Sequence, residues 1–154
     1  MSATHSAASP ASGQGRTILL AEDNPADVYL LREALSLNHG KDVGLAVVSD
    51  GEEALDYVHR RGRYADAPVP DLIVLDLNLP KSDGSDVLRS IREQPELASI
   101  PVVILTSSDS PQDRAAVEKL GANQYITKPT DLDAFFALGA RLLSYFARGE
   151  SAAM

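Results

Sequence analysis

The sequence predicts an α/β domain: a doubly wound, five-stranded parallel sheet in the order 2-1-3-4-5, with helices on both faces. Three observations carry this reading. Short, mostly continuous aliphatic runs recur along the chain, the pattern of strands covered on both sides. Amphipathic stretches with helix-start signals separate them. Five such βα units fit one domain of a 154-residue chain, and right-handed crossovers then distribute the helices over both faces.

The elements follow in order. Residues 1–16, MSATHSAASPASGQGR, hold too little apolar surface to offset the entropy of ordering and read as a disordered tail. Strand 1 covers 17–21, and Asn24-Pro25 starts a helix over 25–37. Strand 2 covers 43–49, with Ser49-Asp50 opening a helix over 51–61. Strand 3, over 72–75, leads to Asp83 and a helix over 84–93. Pro101 opens strand 4 (102–106), where its missing N–H does no harm, and Ser110-Pro111 starts a helix over 111–120. Strand 5 covers 124–127, and Thr130 opens a last helix over 131–147. Residues 149–154 read as a short frayed tail, so the domain occupies 17–148.

Composition narrows the function classes. Fourteen basic against 22 acidic residues give a net charge of −8, which argues against a surface that binds nucleic acid or anionic membrane as a whole. The absence of cysteine excludes disulfide frameworks, thiolate zinc sites, cysteine nucleophiles and iron–sulfur clusters. No apolar run approaches the roughly 18–20 residues of a membrane span. The N-terminus lacks the charged and apolar regions of a secretory signal, so the expected location is cytoplasmic. His5, His39 and His59 have no metal-ligand spacing and read as surface residues.

The strand ends carry the chemistry. Strand 1 ends in Glu22-Asp23, strand 3 in Asp76, strand 4 in Thr106-Ser107 and strand 5 in Lys128-Pro129. In an open parallel sheet of this order, the site lies outside these carboxyl ends, at the switch point between strands 1 and 3. A single acid after a strand is most often a turn former or helix cap. Here Glu22, Asp23 and Asp76 converge from adjacent strands, and like charges so close resist common ionisation. Either a pKa rises or a cation binds. Hard carboxylate oxygens with room for water suit Mg²⁺, which commonly sits with phosphate oxygens. A carboxylate can itself accept a phosphoryl group, whose transfer needs positioning and charge neutralisation. Asp76 is the acceptor in that reading, because it lies between the acid pair and the Thr106/Lys128 side. The competing reading makes the acids caps and leaves Lys128 without a role.

With those residues in place, the chain resembles the receiver domain of two-component response regulators, over about residues 17–147. The matching segments are ILLAEDN (18–24), DLIVLDLNLPKSDG (71–84), VVILTSS (102–108) and YITKP (125–129). The resemblance implies the flavodoxin-like (βα)5 fold and phosphorylation of Asp76 by a histidine kinase or a phosphotransfer protein. It implies that Asp23 ligates Mg²⁺ directly, that Glu22 acts mainly through water, and that the Asn78 backbone carbonyl completes the protein ligands alongside Asp76. Lys128 would contact the phosphoryl group, while Thr106 and Tyr125 form the switch. It further implies a cis Lys128–Pro129 bond and a tight turn at Gly84. The chain would be no enzyme beyond its own phosphorylation and dephosphorylation. The longer connection over residues 60–70, together with LNLPKSDG, resembles stand-alone regulators partnered with phytochrome-type light-sensing kinases.

Other readings stay beside it. A haloacid dehalogenase-type phosphatase wants an acid two residues after its nucleophile, where this chain has Asn78. A flavodoxin-like electron carrier wants a hydroxyl-rich loop after strand 1, where Glu22-Asp23-Asn24-Pro25 stand. A receiver fold acting as an unphosphorylated adaptor is the third. Arg60, Arg61 and Arg63 read as a solvated helix terminus or a partner contact. On the last helix, Leu132, Phe135, Phe136, Leu138, Leu142, Leu143, Tyr145 and Phe146 cover an arc wider than the roughly 100° of a core-facing stripe. That arc is either a broad core face or a second face for a homodimer, which in the resembled family uses helix 4, strand 5 and helix 5.

Overall fold

A computed structural model describes residues 15–38 and 42–153, with side chains as far as Phe146. Five strands form one parallel sheet: β1 (Arg16–Ala21), β2 (Val43–Val48), β3 (Leu72–Leu75), β4 (Val102–Thr106) and β5 (Gln124–Thr127). Their spatial order is β2-β1-β3-β4-β5, as the sequence predicts. The helices are α1 (Pro25–Leu37), α2 (Gly51–Val58), α3 (Gly84–Glu93), α4 (Pro111–Lys119) and α5 (Leu132–Ala153), with a short 3₁₀ turn at Gly62–Tyr64.

Four of the five start signals work as caps, while at α5 Asp131 rather than Thr130 accepts from the Ala134 N–H. Asn24 accepts from the Ala26 N–H, Asp50 from Glu53, Asp83 from Asp86 and Ser110 from Asp113. The aliphatic strands alternate their side chains between two cores. Leu19, Ala21, Ile73, Leu75 and Ile104 face α2, α3 and α4, where Ala54, Val87, Leu88, Ile91 and Val117 meet them. Ile18, Leu20, Leu72, Val74 and Val103 face α1 and α5, against Leu31, Leu35, Phe135, Leu138 and Leu142. The edge strand β2 departs from the expected two-sided burial, with only Val48 fully buried.

Several boundaries differ from expectation. Arg16, placed in the tail, pairs with Val43 in β1 and lays its guanidinium over the Phe146 ring, 5.3 Å from the centroid. The rest of that tail, residues 1–14, lies outside the described residues, as do His39, His5 and Met154. Helix α2 stops at Val58 rather than 61, because Arg60 adopts φ 55°. The Arg60 N–H then bonds Tyr57 O and the Arg61 N–H bonds Asp56 O, a Schellman ending with arginine in glycine's usual place. Helix α5 continues to Ala153, through residues expected to fray. Its end holds Glu150, Ala152 and Ala153, all good helix formers, and no proline.

One expectation carried by the resemblance needs correction, and a second gains its physical reason. The Lys128–Pro129 bond is trans, the isomer an X–Pro bond favours by about 0.5–1 kcal/mol, and it still delivers Lys128 to the acids. Gly84 has no positive φ; its need is space, since a Cβ there would lie 2.6 Å from Asp76 O and 2.8 Å from Leu77 Cα. The broad arc of α5 is largely taken up inside the fold. Phe135, Leu138, Leu142 and Phe146 are buried, Phe136, Leu143 and Tyr145 are half-buried, and Leu132 is exposed.

Candidate functional site

The parallel ladder runs one residue past the strand ends and fixes the site. The Glu22 N–H bonds Val48 O, the Asp76 N–H bonds Ala21 O, and the Lys128 N–H bonds Thr106 O. Three side chains from β1, β3 and β5 are thereby anchored to neighbouring strands at one rim.

Glu22 is 2% exposed and Asp76 4%, so both carboxylates are withdrawn from solvent, whereas Asp23 faces water. One oxygen of each of the three lies within 4.8 Å of the others. Lys128 Nζ sits 2.9 Å from Glu22 Oε1 and donates to Asp76 Oδ2 at 2.9 Å. It also donates to Asp27 Oδ2 at 2.8 Å, so three carboxylates surround one ammonium. The remaining oxygens meet backbone: Glu22 Oε2 accepts from Asn24 N–H at 3.1 Å, and Asp76 Oδ1 from Asn78 N–H at 3.0 Å.

The electrostatics follow from this packing. Burial pushes the Glu22 carboxyl above its usual value, and the charge of Asp76 adds to that, while Lys128 and the Asn24 N–H pull the other way. Burial alone would lower Lys128, but the hydrogen bonds it donates to Asp27, Glu22 and Asp76 outweigh that and hold the lysine well above its usual range. The ammonium is therefore fixed as a cation. With exposed Asp23 beside them, four carboxylates at this rim leave an excess of negative charge that one lysine does not cancel. Hard oxygen donors, two of them buried and one open to water, fit a divalent ion that keeps part of its hydration shell. No cysteine exists in the chain. His59 lies away from the acids, its Nδ1 2.6 Å from Gln94 Nε2.

Thr106 is fully buried, and its Oγ1 accepts from Asn78 Nδ2 at 3.3 Å and from the Ser108 N–H at 3.4 Å. Asn78 thus touches Asp76 through its backbone and Thr106 through its side chain, a link that sequence reasoning, which assigned it only a carbonyl, did not find. Tyr125 donates its hydroxyl proton to Ser108 O at 2.8 Å and carries the Arg114 guanidinium 4.4 Å from its ring centroid. Every residue expected at the site therefore lies at this rim or one contact away. Asp27 was missed; its signal is an acid at the third helical position after Asn24-Pro25, four residues past Asp23.

The arginine cluster is occupied within the chain. Arg60 donates to Ala67 O at 2.6 Å, Arg61 pairs with Asp56 at 3.1 Å, and Arg63 pairs with Glu53 at 2.8 Å. Among the described residues, no helix is long and apolar enough to cross a membrane.

Fold order, acid cluster and the lysine enclosed by three carboxylates together define a receiver of two-component signalling. The response regulator receiver domain family matches residues 18–138, and the chain belongs to it. The response regulator Rcp1 of Synechocystis sp. is 39% identical over 135 residues, covering 88% of this chain and 91% of Rcp1. The phosphorylated cyanobacterial phytochrome response regulator RcpA is 42% identical, with a TM-score of 0.80 over 85% of this chain and 93% of that one. The Mn²⁺-bound form of Rcp1 is 39% identical, with a TM-score of 0.77 over 85% and 94% of the two chains.

Proposed function

We propose that the chain is a stand-alone response regulator that takes a phosphoryl group onto Asp76 from a phosphohistidine, with Mg²⁺ held in the acid cluster. The observation that carries this is Asp76 itself, a buried carboxylate between Glu22-Asp23 and the Lys128 ammonium. A carboxylate oxygen of Asp76 attacks phosphorus as the P–N bond breaks, and the bonding pair leaves with the imidazole nitrogen. Bound Mg²⁺ supplies neutralising charge at a phosphoryl oxygen. Asp23, Asp76 and the Asn78 backbone carbonyl hold the cation, and Glu22 acts mainly through water. Lys128, already within hydrogen-bond reach of Asp76, takes a second phosphoryl oxygen, and the Thr106 hydroxyl takes the third. Moving Thr106 off Asn78 and Ser108 is then coupled to Tyr125 through the Ser108 carbonyl that Tyr125 holds.

The donor in this reading is a sensor histidine kinase of the phytochrome type, or a phosphotransfer protein, and both act in the cytoplasm. Support comes from the phytochrome response regulator RcpA, which this chain covers almost end to end. The only chemistry is the chain's own phosphorylation and dephosphorylation, and the output is a binding event on protein rather than nucleic acid or membrane. A homodimer through α4, β5 and α5 belongs to the same reading. Sedimentation with and without beryllofluoride checks it, and a monomer in both states removes it.

Acetyl phosphate or beryllofluoride with Mg²⁺ should modify or bind the wild type, and Asp76→Asn should abolish the response. An unchanged response in that variant removes Asp76 from its role. Sustained turnover of a generic phosphomonoester would instead favour a phosphatase. Phosphotransfer profiling against the histidine kinases of the source organism identifies the donor.

A further inference from the structure

The Lys128 ammonium has three N–H donors, and three carboxylates from three elements receive it: Glu22 at the end of β1, Asp27 in the first turn of α1 and Asp76 at the end of β3. Two of those three, Glu22 and Asp76, also belong to the group whose oxygens converge for a cation; Asp27 does not. Cation and ammonium thus share two carboxylates, while Asp27 serves the ammonium alone. Its carboxylate has no other ion-pair or hydrogen-bond partner among the described residues. Nor is it needed as a cap, because Asn24 already accepts from the Ala26 N–H. An acid in a first helical turn is favoured by the helix dipole in any case, so the anchor costs little to hold.

We propose that Asp27 is a positioning residue for Lys128, which draws one ammonium donor away from Glu22 and Asp76 and so sets how strongly the lysine competes with a divalent cation for them. The inference deepens the proposed function and rests on its cation site. With Asp27 in place, Lys128 stays at the rim of the site as Glu22 and Asp76 turn to the metal, ready for a phosphoryl oxygen. Without its carboxylate charge, Asp27 holds the ammonium less strongly, Lys128 leans more on the two shared carboxylates, and its positive charge faces an incoming cation less neutralised. Both changes act in the same direction, against the cation.

Isothermal titration of the metal-free, full-length protein with Mg²⁺ tests this. Asp27→Asn should raise the dissociation constant about five-fold, about 1 kcal/mol, the margin by which a charge-assisted hydrogen bond exceeds one to a neutral amide oxygen. Asp27→Glu, which keeps the charge, should recover most of the affinity. The discriminating step is a double-mutant cycle with Lys128→Met. If Asp27 acts through Lys128, Asp27→Asn changes the Mg²⁺ affinity of Lys128→Met by less than two-fold. If the five-fold loss persists there, Asp27 acts as a distant charge and the proposal falls. An affinity unchanged by Asp27→Asn in the wild-type background also overturns it, with the phosphoacceptor reading intact. No Mg²⁺ binding by the wild type would overturn both, and that result stands apart from the other two.

Discussion

Tyr57 shows how a single buried hydroxyl ties the long α2–β3 connection to the core. Its ring is almost fully buried against the cluster under α2, lies 5.2 Å from the ring of Tyr64, and its hydroxyl donates to Pro68 O at 2.7 Å. Burial pushes the phenol above its ordinary value, with the charge of Arg60 acting against it. A group whose folded pKa is raised stabilises the fold fully below its unfolded value, here about pH 10, and loses that contribution as pH climbs through the folded value. Tyr57→Phe should therefore cost about 1 kcal/mol at pH 7 in urea unfolding, from the lost hydrogen bond. Above pH 10 the gap between variant and wild type should narrow; a gap that widens there contradicts the burial argument. Lys128 loses stabilisation in the same alkaline window, but in both proteins equally. Asp27 marks the limit of reading at this scale. Its partner lies 101 residues away, and only the packing of α1 beside the end of β5 brings them together. Glu22, Asp23, Asp76, Thr106 and Lys128 were legible because each follows an aliphatic run that had to be a strand.

Helix boundaries divide along the same line, between signals local in sequence and those supplied by contact. Caps such as Asn24, Asp50, Asp83 and Ser110 act within a few residues, so every described helix start but one falls where the sequence puts it. The end of α2 depends on Arg60 holding a left-handed conformation, which its bond to Ala67 O helps support; the sequence carries no glycine there to announce it. At the end of α4, Gly121 announces the same ending, with φ 97° and the Ala122 N–H bonded to Val117 O. Gly139 carries a packing requirement that no periodicity shows. A Cβ at that position would stand 2.2 Å from Ala34 O and 2.8 Å from Asn38 Nδ2, where α5 crosses the end of α1. Asn38 Nδ2 bridges the two helices there, donating to Ala34 O and Phe136 O. Helix propensity alone makes Gly139→Ala stabilising by about 1 kcal/mol. Overpacking of about 1–3 kcal/mol opposes it, and the obstacle is backbone, which cannot swing aside. We expect net destabilisation, read as a lower urea midpoint. The exposed neighbour Ala137→Gly calibrates the propensity term alone.

On the scale of the molecule, topology was legible because continuous aliphatic strands joined by helices leave few ways to close a parallel sheet, and that topology sends every strand end to one rim. The cost of that arrangement is concentrated there: four carboxylates and one ammonium share the rim, a formal −3 within a chain of net −8. Glu22, whose charge burial opposes, shows that the metal-free fold holds this charge at a disadvantage. A ligand that binds only the folded state stabilises it by mass action, about 2.7 kcal/mol at a hundred times its dissociation constant. For a chain of this length, that corresponds to a rise in melting temperature of about 5–10 °C. Mg²⁺ should therefore raise the melting temperature of the wild type, and NaCl at equal ionic strength should do much less. Screening by monovalent salt reaches exposed Asp23 but acts weakly on the buried Glu22 and Asp76. Asp76→Asn and Glu22→Gln should each shrink the Mg²⁺ increment, because each removes a charge from the converging group. An increment that NaCl reproduces, or that survives both substitutions, would place the stabilisation on the acidic surface at large instead of at the ends of β1 and β3.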